Sequence, residues 1–359
     1  MSGTAFSRRS FIGRTGLVVG AAVAGAPLLA ACNDAARTAA QEGQGGQAGE
    51  VGTTALSLQL GWLLDNGQLG EAVAIGKGWY ADNGVDVTIM AGGPSIDGLA
   101  LVAGGESQIG QISSSPSLML ASSQGIPTKA FAVGVQEHPY AYISKPDNAV
   151  REPRDLIGKS VGTQATGQIL LSALLAANDI DPGDVEIVVV GSDVTPLTTG
   201  QVDVWTGWVS NVAALRPLGD DYEAMRLWDA GIQLYANPYY TTVDTLADNP
   251  DMLAKFLTAT GEGWKYANEN REEAVDFLVE QVPTLNKDDM LAQAEVLLEF
   301  EFTDTTAKDG WGTMDAGVWQ SQLEMWDSLG QFKGSVPTVE DVATFDILEA
   351  TADERPKVG

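Results

Sequence analysis

The feature that most constrains this chain is an alternation that runs once and then starts again. From residue 56 onward, short β-rich runs alternate with amphipathic helical stretches, the way layered α/β architecture is written in sequence. In the first pass strands are expected at 56–60, 85–90, 108–112, 128–134 and 140–144, with helices over 70–80, 96–103 and 116–124. After Lys145 the pattern restarts, with strands at 160–163, 185–190 and 202–206 and helices over 167–178, 196–200 and 210–215. The run 185–190 is apolar apart from Glu186, which reads as a strand covered on both faces. Segments 223–228 and 233–235 carry the chain back. From Leu246 onward every periodic stretch is helical: 250–268, 271–281, 287–298, 316–329 and 339–345. Two α/β units and a helical tail make a two-lobed protein with a cleft.

Ligands of open parallel sheets sit at the carboxyl ends of the strands. The loops to watch are therefore 62–66, 91–95, 113–115 and 136–140 in the first unit, and 163–167, 191–193 and 206–211 in the second. Residues 53–359 are long enough to give each unit its own core.

The front of the chain reads as an address. Ser7-Arg8-Arg9-Ser10-Phe11-Ile12 is a twin-arginine pattern, followed by a weakly apolar, Gly/Ala-rich run over 17–30. That run is too short and too rich in glycine to span a bilayer, which takes ~20 strongly apolar residues. Leu29-Ala30-Ala31-Cys32 closes it with small residues before the chain's single cysteine, the pattern of a lipoprotein cleavage site. The expectation is a signal peptide over 1–31, a lipid on the Cys32 thiol, a tether over 32–52, and anchorage to the outer face of the cell membrane. The tether is Ala, Gln, Gly and Glu with almost no large apolar residue, so it cannot bury enough surface to order itself. With no second cysteine there is no disulfide framework, Cys-rich metal site or CxxC pair.

The formal net charge is −28, and losing Arg8, Arg9 and Arg14 with the leader makes it more negative still. Such a field repels nucleic acid. Enzyme motifs are missing: no GxSxG, P-loop or HExxH occurs, and one histidine cannot build a metal cluster. Neither a cofactor nor a metal is expected.

Several pieces in order resemble the binding proteins for nitrate, sulfonates, taurine and thiamine-pyrimidine precursors that serve ABC importers. They are Leu58-Gln59-Leu60-Gly61-Trp62, then Gly78-Trp79-Tyr80 through Gly84-Val85-Asp86-Val87, Gly92-Gly93-Pro94, Leu101 to Glu106, Ser123 to Pro127, and Pro153 to Gly162. The similarity runs over roughly residues 56–275, and one departure is Leu64, where the family's loop carries proline. The resemblance implies a type II periplasmic-binding-protein fold, with lobe 1 from 53–142 and 239–359 and lobe 2 from 143–238. The crossings would lie near 140–145 and 235–240. It further implies a monomeric solute-binding lipoprotein, with importer permease and ATPase subunits as separate chains. The same fold hosts a pyrimidine synthase whose cysteine-rich motif is absent here.

Within the expected cleft, Trp62 and Trp208 follow strand ends beside glycine, one in each lobe, and can stack on a flat ring. Trp205 lies within its strand and reads as core. Asp65 and Asn66 can bond ring nitrogens or an exocyclic amine, although such residues also cap helices. Ser113, Ser114 and Ser115 precede Pro116 and offer hydroxyls with free helix N-terminal amides, suited to an anion or carbonyl. Thr163, Gln164 and Thr166 make a similar site in the second lobe. Gly93, Tyr140, Asn211 and the lone His138 complete the candidate set. These loops hold aromatics and carboxylates but no Lys or Arg, which favours a heteroaromatic ligand, a thiamine-pyrimidine precursor or a flavin, over a sulfonate, taurine or nitrate.

Overall fold

A computed structural model describes residues 53–93, 95–164, 167–219 and 221–359. The signal peptide, Cys32 and the tether over 32–52 lie outside the described residues, as does Thr166. Among the described residues, no helix is long and apolar enough to cross a membrane.

Among the described residues, ten strands form two five-stranded sheets. The first contains β1 (Thr54–Leu60), β2 (Val85–Met90), β3 (Ile109–Gln111), β4 (Thr128–Val135) and β10 (Ala236–Thr242), in the order β2-β1-β3-β10-β4. The second contains β5 (Tyr140–Ser144), β6 (Ser160–Thr163), β7 (Glu186–Val189), β8 (Val204–Trp208) and β9 (Glu223–Arg226), in the order β7-β6-β8-β5-β9. β1 pairs in parallel with β2 and β3, and β6 with β7 and β8. Each sheet also holds one antiparallel strand, β10 between β3 and β4 and β5 between β8 and β9. Those two strands are the ones reached immediately after the chain changes sheet.

The crossings therefore occur before the expected positions. Tyr140–Ser144 lies wholly in the second sheet, so the outward crossing is 136–139, and the return is 227–235. The two are tied together by backbone bonds, His138 N–H to Leu234 O at 3.1 Å and Leu227 N–H to Tyr140 O at 2.8 Å. Residues 233–235 form no strand of their own; they lead into β10.

Other differences have local causes. The expected helix 70–80 is broken into Leu69–Gly76 and Trp79–Asp82, because Gly78 takes a positive φ of 77° between them. The last helix expected, 339–345, covers only Val339–Val342, and a separate short helix, Asp346–Ala350, follows it. Short helices at Val243–Asp248 and Asp304–Asp309 add to the tail. β7 is not covered on both faces: it is an edge strand, and while Val188 and Val190 pack inward, Ile187 and Val189 remain 40% and 67% exposed.

One hydrophobic core runs through the first sheet, the tail helices and the near face of the second sheet. A smaller cluster of Ala141, Ile143, Val194, Leu197, Val202, Trp205 and Leu215 covers the other face of the second sheet. The tail helix Pro250–Glu269 lies along Leu69–Gly76 and holds the start of the chain's first helix against the first sheet.

Candidate functional site

A cavity of about 560 Å³ opens where the strand ends of both sheets meet. That volume lies within the range of small-molecule sites. It is lined by Trp62, Asp65, Asn66, Ser113, Ser114, His138, Tyr140, Gln164, Trp208 and Asn211, all named from sequence. Gly93, Ser115 and Thr163 are not in its wall. Gly93 is a turn residue with φ of 152°. Ser115 is buried, its hydroxyl donating to Gln322 Oε1 at 2.6 Å. Thr163 stands behind the wall, its Oγ1 3.1 Å from the Tyr140 hydroxyl.

The first-lobe wall is built on the loop after β1. Asp65 Oδ1 accepts the Gly67 N–H at 2.9 Å, and Gln68 Oε1 accepts the Asp65 N–H at 3.1 Å, a reciprocal cap on the short turn Asn66–Gln68. Burial pushes the Asp65 carboxyl above the ordinary carboxylate range, with the Gly67 bond opposing. Asn66 donates from Nδ2 to the Met290 carbonyl at 2.7 Å, which ties this loop to the tail helix Lys287–Glu301. Its Oδ1 has no partner among the described residues. Trp62 is half-buried, and its carbonyl accepts the Gly92 N–H at 2.8 Å.

The opposite wall is aromatic. Tyr140 and Trp208 face each other across the β5–β8 ladder. His138 packs edge-on to Trp208 at 5.5 Å between ring centres and to Tyr140 at 6.1 Å. The His138 ring is 1% exposed, and burial pushes its pKa down to about 3 with the Ser113 backbone opposing. It is therefore neutral at ordinary pH, with Nδ1 accepting the Tyr140 N–H at 3.3 Å. Gly167 leaves room for this arrangement, since a Cβ there would come 2.1 Å from the Tyr140 hydroxyl oxygen. Asn211 lines the cavity while its Oδ1 caps the Ala214 N–H at 3.3 Å. Trp205, expected as core, is both: it is 1% exposed within the smaller cluster and its ring also forms part of the wall.

Charge is one-sided. The wall carries Asp65 and Asp97, and among the described residues no Lys or Arg lines it. Asp97 caps the helix Gly98–Ala103 through the Ala100 N–H at 3.0 Å. No group of three His, Cys, Asp or Glu side chains suited to a metal ion occurs among the described residues.

Sequence reasoning missed Gln68, Gln111, Asn237, Gln293 and Leu297. Gln111 ends β3, two residues before the expected loop 113–115. Gln293 and Leu297 come from the tail helix, one turn apart on the same face, and no strand-end rule points to a helix. Asn237 stands at the start of β10, and its neighbour Pro238 is the signal that could have drawn attention to it.

Two α/β lobes, paired crossings and a cavity at facing strand ends define a two-lobed binding-protein fold. The chain matches the family described as NMT1/THI5 like over residues 67–274, and it belongs to that family. It is 26% identical to riboflavin-binding protein RibY of Chloroflexus aurantiacus over 74% of this chain and 78% of that protein. It is 24% identical to the formylaminopyrimidine-binding protein of Halalkalibacterium halodurans over 71% of this chain and 79% of that one. A 4-amino-5-hydroxymethyl-2-methylpyrimidine phosphate synthase of Legionella pneumophila is 22% identical over 64% of this chain and 74% of its own length. Among solved structures, the alkanesulfonate-binding protein SsuA of Xanthomonas axonopodis pv. citri shares the fold. Its TM-score is 0.61 at 15% identity, covering 82% of this chain and 99% of that one.

Proposed function

We propose that this chain is the extracytoplasmic ligand-capturing component of an ABC importer, and that it holds a small heteroaromatic compound, a thiamine-pyrimidine precursor or a flavin-like ring, between its lobes. The observation that carries this reading is the composition of the cavity wall. Trp62 comes from the first lobe and Trp208 from the second; carboxamides and two carboxylates share the wall with them, and among the described residues no cationic side chain lines it. Aromatic faces stack on flat rings, and carboxylates accept from ring N–H or amino groups. The same carboxylates oppose an anion. Relatives named for riboflavin and for formylaminopyrimidine support the reading. Capture rather than catalysis is part of it, as is delivery to separate permease and ATPase subunits.

A second reading, a sulfonate or other small oxyanion, is favoured by one feature, the buried Ser114 hydroxyl without a partner among the described residues, beside the helix Ser115–Ser123. A third, a pyrimidine synthase, draws on the relative of that name. A thermal-shift screen of the protein lacking residues 1–31 separates them. Riboflavin or aminopyrimidines should raise the melting temperature and be recovered unchanged. Stabilisation by taurine and alkanesulfonates alone would favour the oxyanion, and a released phosphorylated pyrimidine would favour the synthase.

Membrane anchorage through Cys32 completes the proposal. Cys32→Ala should leave the protein without lipid and released from the membrane fraction. Retention of the variant through detergent-free washing would remove the anchor from the account.

A further inference from the structure

Asn237 combines three observations that a mere strand residue does not need. Its backbone has a φ of 50°, one of two non-glycine residues with positive φ among those described, and the next residue is Pro238, which narrows the choices further. It interrupts the ladder: Ala236 pairs with Val135 and Pro238 with Val133, and no pairing is made at Asn237. It lines the cavity at 7% exposure, where the return crossing enters the first sheet. Strained conformations of this kind persist where surrounding structure holds a side chain for use.

The side chain points to that use. A Cβ on Gly67 would lie 3.2 Å from Asn237 Nδ2, so the carboxamide rests over the turn that carries Asp65 and Asn66. Three carboxamides converge there. Gln68 is engaged at both ends, accepting the Asp65 N–H and donating to Gln111 Oε1 at 2.6 Å. Gln111 is engaged likewise, its Nε2 reaching the Gly67 carbonyl at 3.5 Å. The Asn237 carboxamide makes no hydrogen bond with any described residue. A carboxamide presents a donor beside an acceptor in one plane, the complement of a ring edge that carries an acceptor beside a donor.

We propose that Asn237 is a ligand-reading residue whose free carboxamide forms a two-point hydrogen bond with a ring edge carrying an N–H or NH₂ next to a C=O or ring nitrogen. This rests on the heteroaromatic reading above and narrows it: a lactam or imide edge and an aminopyrimidine edge both qualify, while an aromatic lacking such an edge does not. The left-handed backbone sets the direction of the carboxamide, and Gly67 leaves the space beside it.

Calorimetric titration tests this with riboflavin against its N3-methyl derivative, and 4-amino-5-hydroxymethyl-2-methylpyrimidine against its desamino analogue. The parent should bind one of the complete rings and lose about 10- to 100-fold in affinity for its blocked partner. Asn237→Gly accepts the positive φ freely, so its melting temperature should hold or rise. It should bind the complete ring about 10- to 100-fold more weakly and no longer distinguish it from the blocked one. Asn237→Asp keeps the shape and loses the donor, and it should lose the same discrimination if the glycine variant does not fold. Variants that keep the parent's affinity and discrimination overturn the role of Asn237 and leave the heteroaromatic reading standing. A parent that binds neither ring overturns both together.

Discussion

The two sheets follow one plan, each with parallel strands and one antiparallel strand beside a crossing, yet they are buried to different depths. The first is backed by the tail, whose helices bring the fully buried Trp264, Trp319 and Trp326 and whose turn before the helix Ala316–Ser328 brings Trp311. Its edge strand β2 keeps Val85 and Val87 inside. The second sheet has a small cluster on one face, and its edge strand β7 leaves Ile187 and Val189 in solvent. The first lobe is thus the anchored body, and the second the lighter part that shares the cavity with it. Both lend walls to the site, so stability and binding are separable by position.

The largest effect expected is in the anchored body. Trp264 stacks on Trp311 at 6.3 Å between ring centres, and Trp264→Ala should lower unfolding free energy by about 3–5 kcal/mol in denaturant titration. Trp205→Ala, in the smaller cluster, should cost about 3 kcal/mol and also weaken ligand binding, since Trp205 reaches the cavity. Equal stability losses with binding intact would erase the contrast between lobes.

Opposite pH dependences sharpen it. Glu71 is buried under the first sheet and accepts the Tyr239 hydroxyl at 2.6 Å; burial pushes its carboxyl from 4.5 up to about 7. Between those values only the unfolded chain releases the proton, so its contribution to stability is full below pH 4.5 and falls, by about 3 kcal/mol, as pH rises to 7. His138, at the crossing, has its pKa depressed from 6.5 to about 3, so its contribution is full above pH 6.5 and falls as pH drops. Glu71→Gln should flatten the alkaline-going loss, and His138→Gln the acid-going one, in melting curves recorded across pH 4–8. Swapped slopes would show that burial at these two places has been misjudged.

The smallest difference lies at the edges. Val189→Thr on exposed β7 should change stability by no more than about 0.5 kcal/mol. Val87→Thr at the buried position on β2 should cost about 1–2 kcal/mol, the desolvation of a hydroxyl without a partner.

Much of this was legible in the sequence because periodicity reports local structure directly. Segments 85–90, 140–144, 160–163 and 271–281 are found where their patterns place them. What periodicity does not carry is which strand becomes an edge. The apolar run around β7 looked doubly covered because its neighbours in the sheet are set by topology. β10 was missed for a related reason: Pro238 argues against an interior strand, and the strand survives through the left-handed Asn237 before it and a register shift at Tyr239/Tyr240 after it. The cavity residues at strand ends were within reach of a general rule about α/β sheets. Gln293 and Leu297 were not, because their place depends on how the tail folds back onto the first lobe.

The central claim is that one flat ring is held between lobes by Trp62 and Trp208, and calorimetry on the two alanine variants tests it most directly. Each face of such a stack is worth roughly 0.5–1.5 kcal/mol beyond area burial, so each variant should bind the heteroaromatic ligand about 2- to 13-fold more weakly than the parent. Trp62→Ala should leave the melting temperature nearly unchanged, whereas Trp208→Ala should lower it modestly, because Trp208 packs on His138 and the main core. Parent-like affinity in both variants would contradict the claim and move the oxyanion reading at Ser114 ahead of it.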